Sequence, residues 1–169
     1  FDLLERNYDA AQEKIEVASK IGSPTGDNLA VAGSIYLLSG RPEKARKLFI
    51  DAMRTSPFYP PWYANRLITS LIMLEKYDEA VKIATSIVDK GDQNKITPYA
   101  HARALVSLAV ISKRKNDNIA GEGFVKRIVE VNPNFTQKSL GMYIGQMKNQ
   151  SIIEDFQSIL GSYGLPSGE

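Results

Sequence analysis

Residues 29–57 read LAVAGSIYLLSGRPEKARKLFIDAMRTSP, and this stretch decides the fold. Two apolar patterns of helical spacing, Leu29 to Leu38 and Ala45 to Met53, flank the turn signal Ser39-Gly40-Arg41-Pro42, and Pro57 closes the second. The small residues Gly33, Ala45 and Ala52 let two helices approach closely, while Tyr36 and Phe49 fill the space left between them. The stretch therefore predicts a helical hairpin. Its turn phrase, Arg41-Pro42-Glu43-Lys44-Ala45, returns as Tyr8-Asp9-Ala10-Ala11 and as Lys76-Tyr77-Asp78-Glu79-Ala80; the closing residues Ala11, Ala45 and Ala80 stand 34 and 35 residues apart. A fixed period of this length is the mark of a repeat array, in which each helix pair buries its apolar face only against its neighbours.

The period and the phrase resemble the tetratricopeptide repeat (TPR) family. Gly33, Tyr36, Ala45, Phe49, Ala52 and Pro57 fall on that family's signature slots, with Leu29 where Trp is usual and Ala32 where Leu is usual. Ala11, Ile15 and Ala18 repeat the phase in a first copy, and Leu67, Ala80, Ala84 and Ile87 in a third. A fourth copy needs a seven-residue polar insertion, Asp89 to Lys95; it resumes at Leu105, Leu108 and Ala109, carries Gly121 where the family prefers Ala, and ends at Asn132-Pro133. The resemblance implies an all-α, right-handed solenoid of helix-turn-helix repeats, about three to four in number. It would occupy residues 1–134, with the first repeat incomplete, followed by a capping segment over 135–169.

Apolar spacing and breakers predict helices near 8–22, 27–39, 42–55, 61–75, 77–90, 97–115 and 118–131, then a short helix to about Met147 and a last one near 152–163. Pro24, Pro57, Pro60, Pro61 and Pro133 punctuate the turns, and Thr97-Pro98 reads as a helix start. Ser151-Ile152-Ile153-Glu154 fits a capping box, Gly164 the left-handed closing residue, and Pro166 the stop. A narrower similarity covers roughly residues 55–166. Asn132-Pro133-Asn134-Phe135, Met147-Lys148-Asn149-Gln150, the ending Phe156 to Pro166 and the phrase Pro57…Pro61-Trp62-Tyr63 resemble the C-terminal TPR region of bacterial class III adenylate/guanylate cyclases and related signalling proteins. It implies an upstream cyclase or other effector domain, whose catalytic residues would lie outside this chain. The opening Phe1-Asp2-Leu3-Leu4, without Met, is read the same way, as part of a longer protein.

Composition narrows the function. The 169 residues are 43% hydrophobic, and 21 Lys and Arg against 19 Asp and Glu leave a formal charge of +2, too little to hold nucleic acid or an anionic membrane through a large basic field. Absence of cysteine removes disulfides, thiolate nucleophiles and Cys-based zinc sites, and predicts a cytoplasmic location. Apolar runs such as Leu71 to Leu74 fall far short of the roughly 18 residues that cross a bilayer.

No phosphate-binding glycine motif is present; Gly121-Glu122-Gly123 lies inside a predicted helix. Adjacent Glu154 and Asp155 point in different directions on a helix and make no acid/base pair. His101, the only histidine, has no metal-ligand spacing around it, and Ser107 and Ser112 have no triad context. Lys113-Arg114-Lys115 closes a helix, where cations meet the negative end of the dipole. No catalytic residue, metal or cofactor is expected.

What remains is the inner surface, which in TPR arrays is lined by exposed positions of each first helix. By the resemblance these are Asp27, Ala30, Val31, Ser34 and Leu38, then Trp62, Asn65, Arg66, Thr69 and Met73, then Arg103, Val106, Ser107 and Val110. An aromatic, a methionine and two arginines are the composition of interface anchors. Trp62 has a second reading, a helix-start residue wedged between repeats, and both arginines have one as internal ion-pair partners. The Lys/Asn set with which TPR co-chaperones clamp a C-terminal carboxylate is mostly missing, because its slots hold Ala30, Ser34, Arg66, Arg103 and Ser107. The sequence thus predicts a module that binds a protein or peptide. Its alternative is a self-association segment that dimerises the parent through the broken first repeat, where Leu3, Leu4 and Ile15 would seek cover.

Overall fold

Helices begin where the chain lacks an amide donor or caps one. The computed structural model describes residues 6–18 and 24–168, the side chains at 142 and 143 aside. Among these residues the secondary structure is helical throughout, with no strand. The helices are α1 (Tyr8–Ala18), α2 (Gly26–Leu38), α3 (Pro42–Thr55), α4 (Pro61–Met73), α5 (Tyr77–Asp92), α6 (Pro98–Arg114), α7 (Asn118–Val131), α8 (Gln137–Ile144) and α9 (Ser151–Ser162). Pro42, Pro61 and Pro98 occupy first-turn positions, while Thr25 and Thr97 accept from the amides of Asn28 and Ala100.

The repeat is legible in the backbone itself. Arg6, Gly40, Glu75 and Asn116 all have φ between 56 and 79°, at spacings of 34, 35 and 41 residues. After the last three, the chain closes the helix with the same long bond: Arg41 N to Tyr36 O at 2.8 Å, Lys76 N to Leu71 O at 2.9 Å and Asp117 N to Ser112 O at 2.9 Å. The third spacing exceeds the first by seven, the size of the expected insertion.

The polar insertion Asp89 to Lys95 is shared between the end of a helix and a turn. α5 continues through Asp92, and the left-handed turn falls at Asn94, φ 55°. Two expectations are corrected and one is not tested. α8 ends at Ile144, before Met147, and the end of α1 past Ala18 lies outside the described residues. No capping box forms at Ser151: the helix starts at that residue, and its amide and hydroxyl both donate to Asn149 Oδ1, at 3.1 and 2.7 Å. Thr136 takes that role for α8, its amide donating to Ser139 Oγ at 3.0 Å. Gly164 does close α9 in the left-handed region, φ 88°.

Each helix from α2 to α7 packs on the next, and the first helices of successive pairs also touch, α2 on α4 and α4 on α6. At Gly33 a Cβ would lie 3.1 Å from the Phe49 ring, so the small-against-large reading of this pair holds. α6 is buried from His101 to Ser112, because α4, α5, α7 and α9 surround it. The buried apolar residues form one cluster that runs from Ala30 to Leu165 and includes Phe135, Leu140, Ile144, Met147, Phe156 and Leu160 of the C-terminal segment. That segment therefore shares the core. Its inner turn reaches the first helices, with Lys148 N donating to Leu38 O at 2.7 Å and the Tyr8 hydroxyl to Gln146 O at 2.8 Å.

Candidate functional site

The inner row is largely covered. Of the expected binding residues, Leu38, Asn65, Thr69, Arg103, Ser107 and Val110 are buried, as are Ala30 and Val106; Ser34, Trp62, Arg66 and Met73 are half-buried, and Asp27 and Val31 are exposed. The open surface expected there is thus corrected: α4 lies against α2 and α6, with Asn65 tied to Ala100 O, α9 lies against α6, and the turn between α8 and α9 hydrogen-bonds to the end of α2.

The buried hydroxyls are satisfied locally, whereas Asn65 Oδ1 and His101 Nε2 have no hydrogen-bond partner among the described residues. Thr69 and Ser107 donate to the carbonyls of Asn65 and Arg103, four residues back, at 3.1 and 3.2 Å; Ser34 does the same to Ala30 at 2.9 Å. The Asn65 amide donates to Ala100 O at 3.3 Å and so ties α4 to α6. Neither Arg66 nor Arg103 is without a partner. Trp62 meets Tyr63 edge-on, ring centroids 4.4 Å apart, and packs on the core cluster at the start of α4.

Tyr63 is fully buried, and its hydroxyl donates to the Asp27 carboxylate across α4 and α2. Burial first, and the Asp27 charge second, push its phenol up to about 12 from its ordinary 10.0. The folded value lies above the unfolded one, so the contribution to stability is whole below pH 10 and is lost as pH rises toward 12. Tyrosinate absorbance is expected to show one phenol ionising last, near the alkaline unfolding step, and Tyr63→Phe should flatten the fall in stability above pH 10. An unchanged alkaline profile in that variant contradicts the assignment.

Elsewhere the titratable groups are structural. His101 is buried against Gly91, and its Nε2 stands 3.5 Å from Asp92 Oδ1. Burial holds its pKa below the usual histidine value, against the opposing pull of Asp92. The basic run finds its acids within the chain: Arg114 pairs with Asp155, and Lys115 with Asp78 at 2.6 Å. No group of three or more His, Asp or Glu among the described residues could hold a metal ion, and no described helix is long and apolar enough to cross a membrane.

A concavity larger than the roughly 300 Å3 hollow beside His101 also stays open. It measures about 530 Å3 and lies between the end of α3, the turn 57–61 and the second half of α5, with Ile83, Ile87 and Ile96 on its floor. Phe58, fully exposed, and Lys82, Lys90 and Lys95 stand on its rim. Sequence reasoning passed over it because Pro57, Pro60 and Pro61 read as punctuation; the available signal was a pair of aromatics, Phe58-Tyr59, set between prolines in a turn. No family model, curated protein or solved structure matches the chain, so the residues and their geometry carry the functional reading.

Proposed function

We propose that this chain is a protein–protein interaction module: a TPR-type array, part of a larger bacterial signalling protein of the adenylate cyclase kind, whose first-helix faces are filled by its own C-terminal segment, residues 135–169. The observation that carries the reading is the row Leu38, Asn65, Thr69, Arg103 and Ser107, buried in a chain where α9 packs on α6 and the turn before α9 bonds to the end of α2. Stacked helix pairs leave their first-helix faces without an internal partner, and a face that accepts a helix pair in cis has the chemistry of helix-in-groove recognition. The repeated turn at spacings of 34, 35 and 41 residues supports the array. Its test is direct: the chain is used as bait in extract of its parent cell, and the recovered protein is then purified and titrated by calorimetry. A saturable one-to-one complex is expected; failure of every recovered protein to bind directly contradicts the reading.

Self-association is the second reading, favoured by Val17 and Val31, which are 53% and 48% exposed on α1 and α2. Leu3 and Leu4 lie outside the described residues, and Ile15 packs on the core cluster. Light scattering that shows a monomer at all concentrations removes this second reading.

A further inference from the structure

We propose that the cleft between α3, the 57–61 turn and α5 docks an acidic peptide, in which one apolar side chain is flanked by carboxylates. The inference rests on the interaction-module reading and adds a partner chemistry to it. Three observations converge. The floor of the cleft is apolar and large enough, at about 530 Å3, to take one or two side chains. No Asp or Glu lines it, and no residue of the C-terminal segment enters it. Among the described residues none of its three lysines holds a carboxylate at ion-pair distance, although Lys82 acts on Asp78 through space, whereas Lys44, Arg46, Arg54, Arg114, Lys115 and Arg127 elsewhere on the surface each hold one. Lys82 lies one turn from Asp78, but Lys115 holds that carboxylate.

The geometry selects a peptide. Lys82 and Lys90 stand eight residues apart on α5, about 12 Å along its axis. An extended strand covers that span in about four residues. Spread cations of this kind match carboxylates on either side of an anchor better than a single anionic head. Phe58 supplies the aromatic rim, held out from the surface by a turn that Pro57 and Pro60 stiffen. Exposed charge pairs are individually weak, so the apolar floor provides affinity and the lysines provide sign selectivity.

Fluorescence anisotropy on the full chain tests this with a labelled synthetic peptide, Glu-Asp-Leu-Phe-Asp-Glu, and its neutral counterpart Gln-Asn-Leu-Phe-Asn-Gln. The acidic peptide is expected to bind saturably, to weaken as salt rises, and to lose about tenfold or more in affinity to the variant Lys90→Glu/Lys95→Glu. Phe58→Ser should weaken both peptides. All these positions are exposed, so the variants should keep the parent's circular dichroism and melting. Equal binding of the two peptides, parent-like binding by the lysine variant, or no saturation overturns the proposal. Lysine-dependent binding to phosphatidylserine vesicles without peptide binding also overturns it, in favour of a membrane surface. A partner recovered with the bait that binds the parent and the lysine variant equally removes the cleft and leaves the interaction-module reading standing.

Discussion

Truncation after Asn134 is expected to abolish the cooperative fold, not to trim a cap. Phe135, Leu140, Ile144, Met147, Phe156, Ile159, Leu160 and Leu165 are all buried, in the same cluster as Leu38, Val106 and Val110. Burying a large apolar side chain stabilises by about 1.5–3 kcal/mol, so losing eight of them removes a gross term at least as large as the net stability of an ordinary domain, about 5–15 kcal/mol. The truncated chain would also expose Val106, Val110 and the buried polar row to water at once. Circular dichroism on the shortened chain should show lost helix or a broad, non-cooperative melt, with aggregation at moderate concentration. A sharp transition close to the parent's would mean that residues 135–169 are a separable cap.

The second large effect concerns the first complete hairpin. Ala45 is fully buried, and an aspartate there places a carboxylate in the packed core, at a cost of about 3–5 kcal/mol where it stays unpaired. The introduced carboxyl has a raised pKa when folded, so the loss should be greatest at neutral pH and shrink as pH falls through that value. Gly33→Leu should cost about 1–3 kcal/mol by overpacking, because even its Cβ would sit 3.1 Å from the Phe49 ring. Gly33→Ala is the control: its added methyl needs only a small shift of that ring, and alanine gains about 0.5–1 kcal/mol in helix preference over glycine. Denaturant unfolding of the three variants checks the order. Parent-like stability of Ala45→Asp would mean that the hairpin register is wrong.

Much of the fold was legible because its determinants are local. Prolines at 42, 61 and 98, the alternation of Gly33 and Ala45 with Tyr36 and Phe49, and the recurring turn phrase act within one or two helices, so their spacing suffices to place α2 to α7. The site was less legible because burial on a repeat's inner face depends on what lies across it. Asn65, Thr69 and Ser107 read as solvent-facing: they are polar and sit at the right phase. What removes them from water is packing between elements distant in sequence, α4 on α6 and α9 on α6, and the C-terminal segment's own pattern suggested only a polar-faced end cap. Gly121 shows the same blindness. Its small size looked like helix-pair packing, yet a Cβ there would lie 2.4 Å from the ring of Tyr163, at the close of α9, whose hydroxyl also donates to Asn118 Oδ1 at 3.0 Å. Long-range contacts of this kind leave no periodic trace. The open cleft failed for another reason: its lysines and Phe58 come from three separate elements, and only the fold brings them to one rim.

The C-terminal segment, with α9 on α6 and its apolar residues in the common cluster, should belong to one cooperative unit with the helix pairs. Amide hydrogen exchange on the intact chain tests it most directly. The amides of Phe156, Ile159 and Leu160 in α9 should exchange only with global unfolding, and so with the same free energy as those of Leu105 and Ala109 in α6. Exchange of α8 and α9 by local opening, while α4 and α6 stay fully protected, would contradict it.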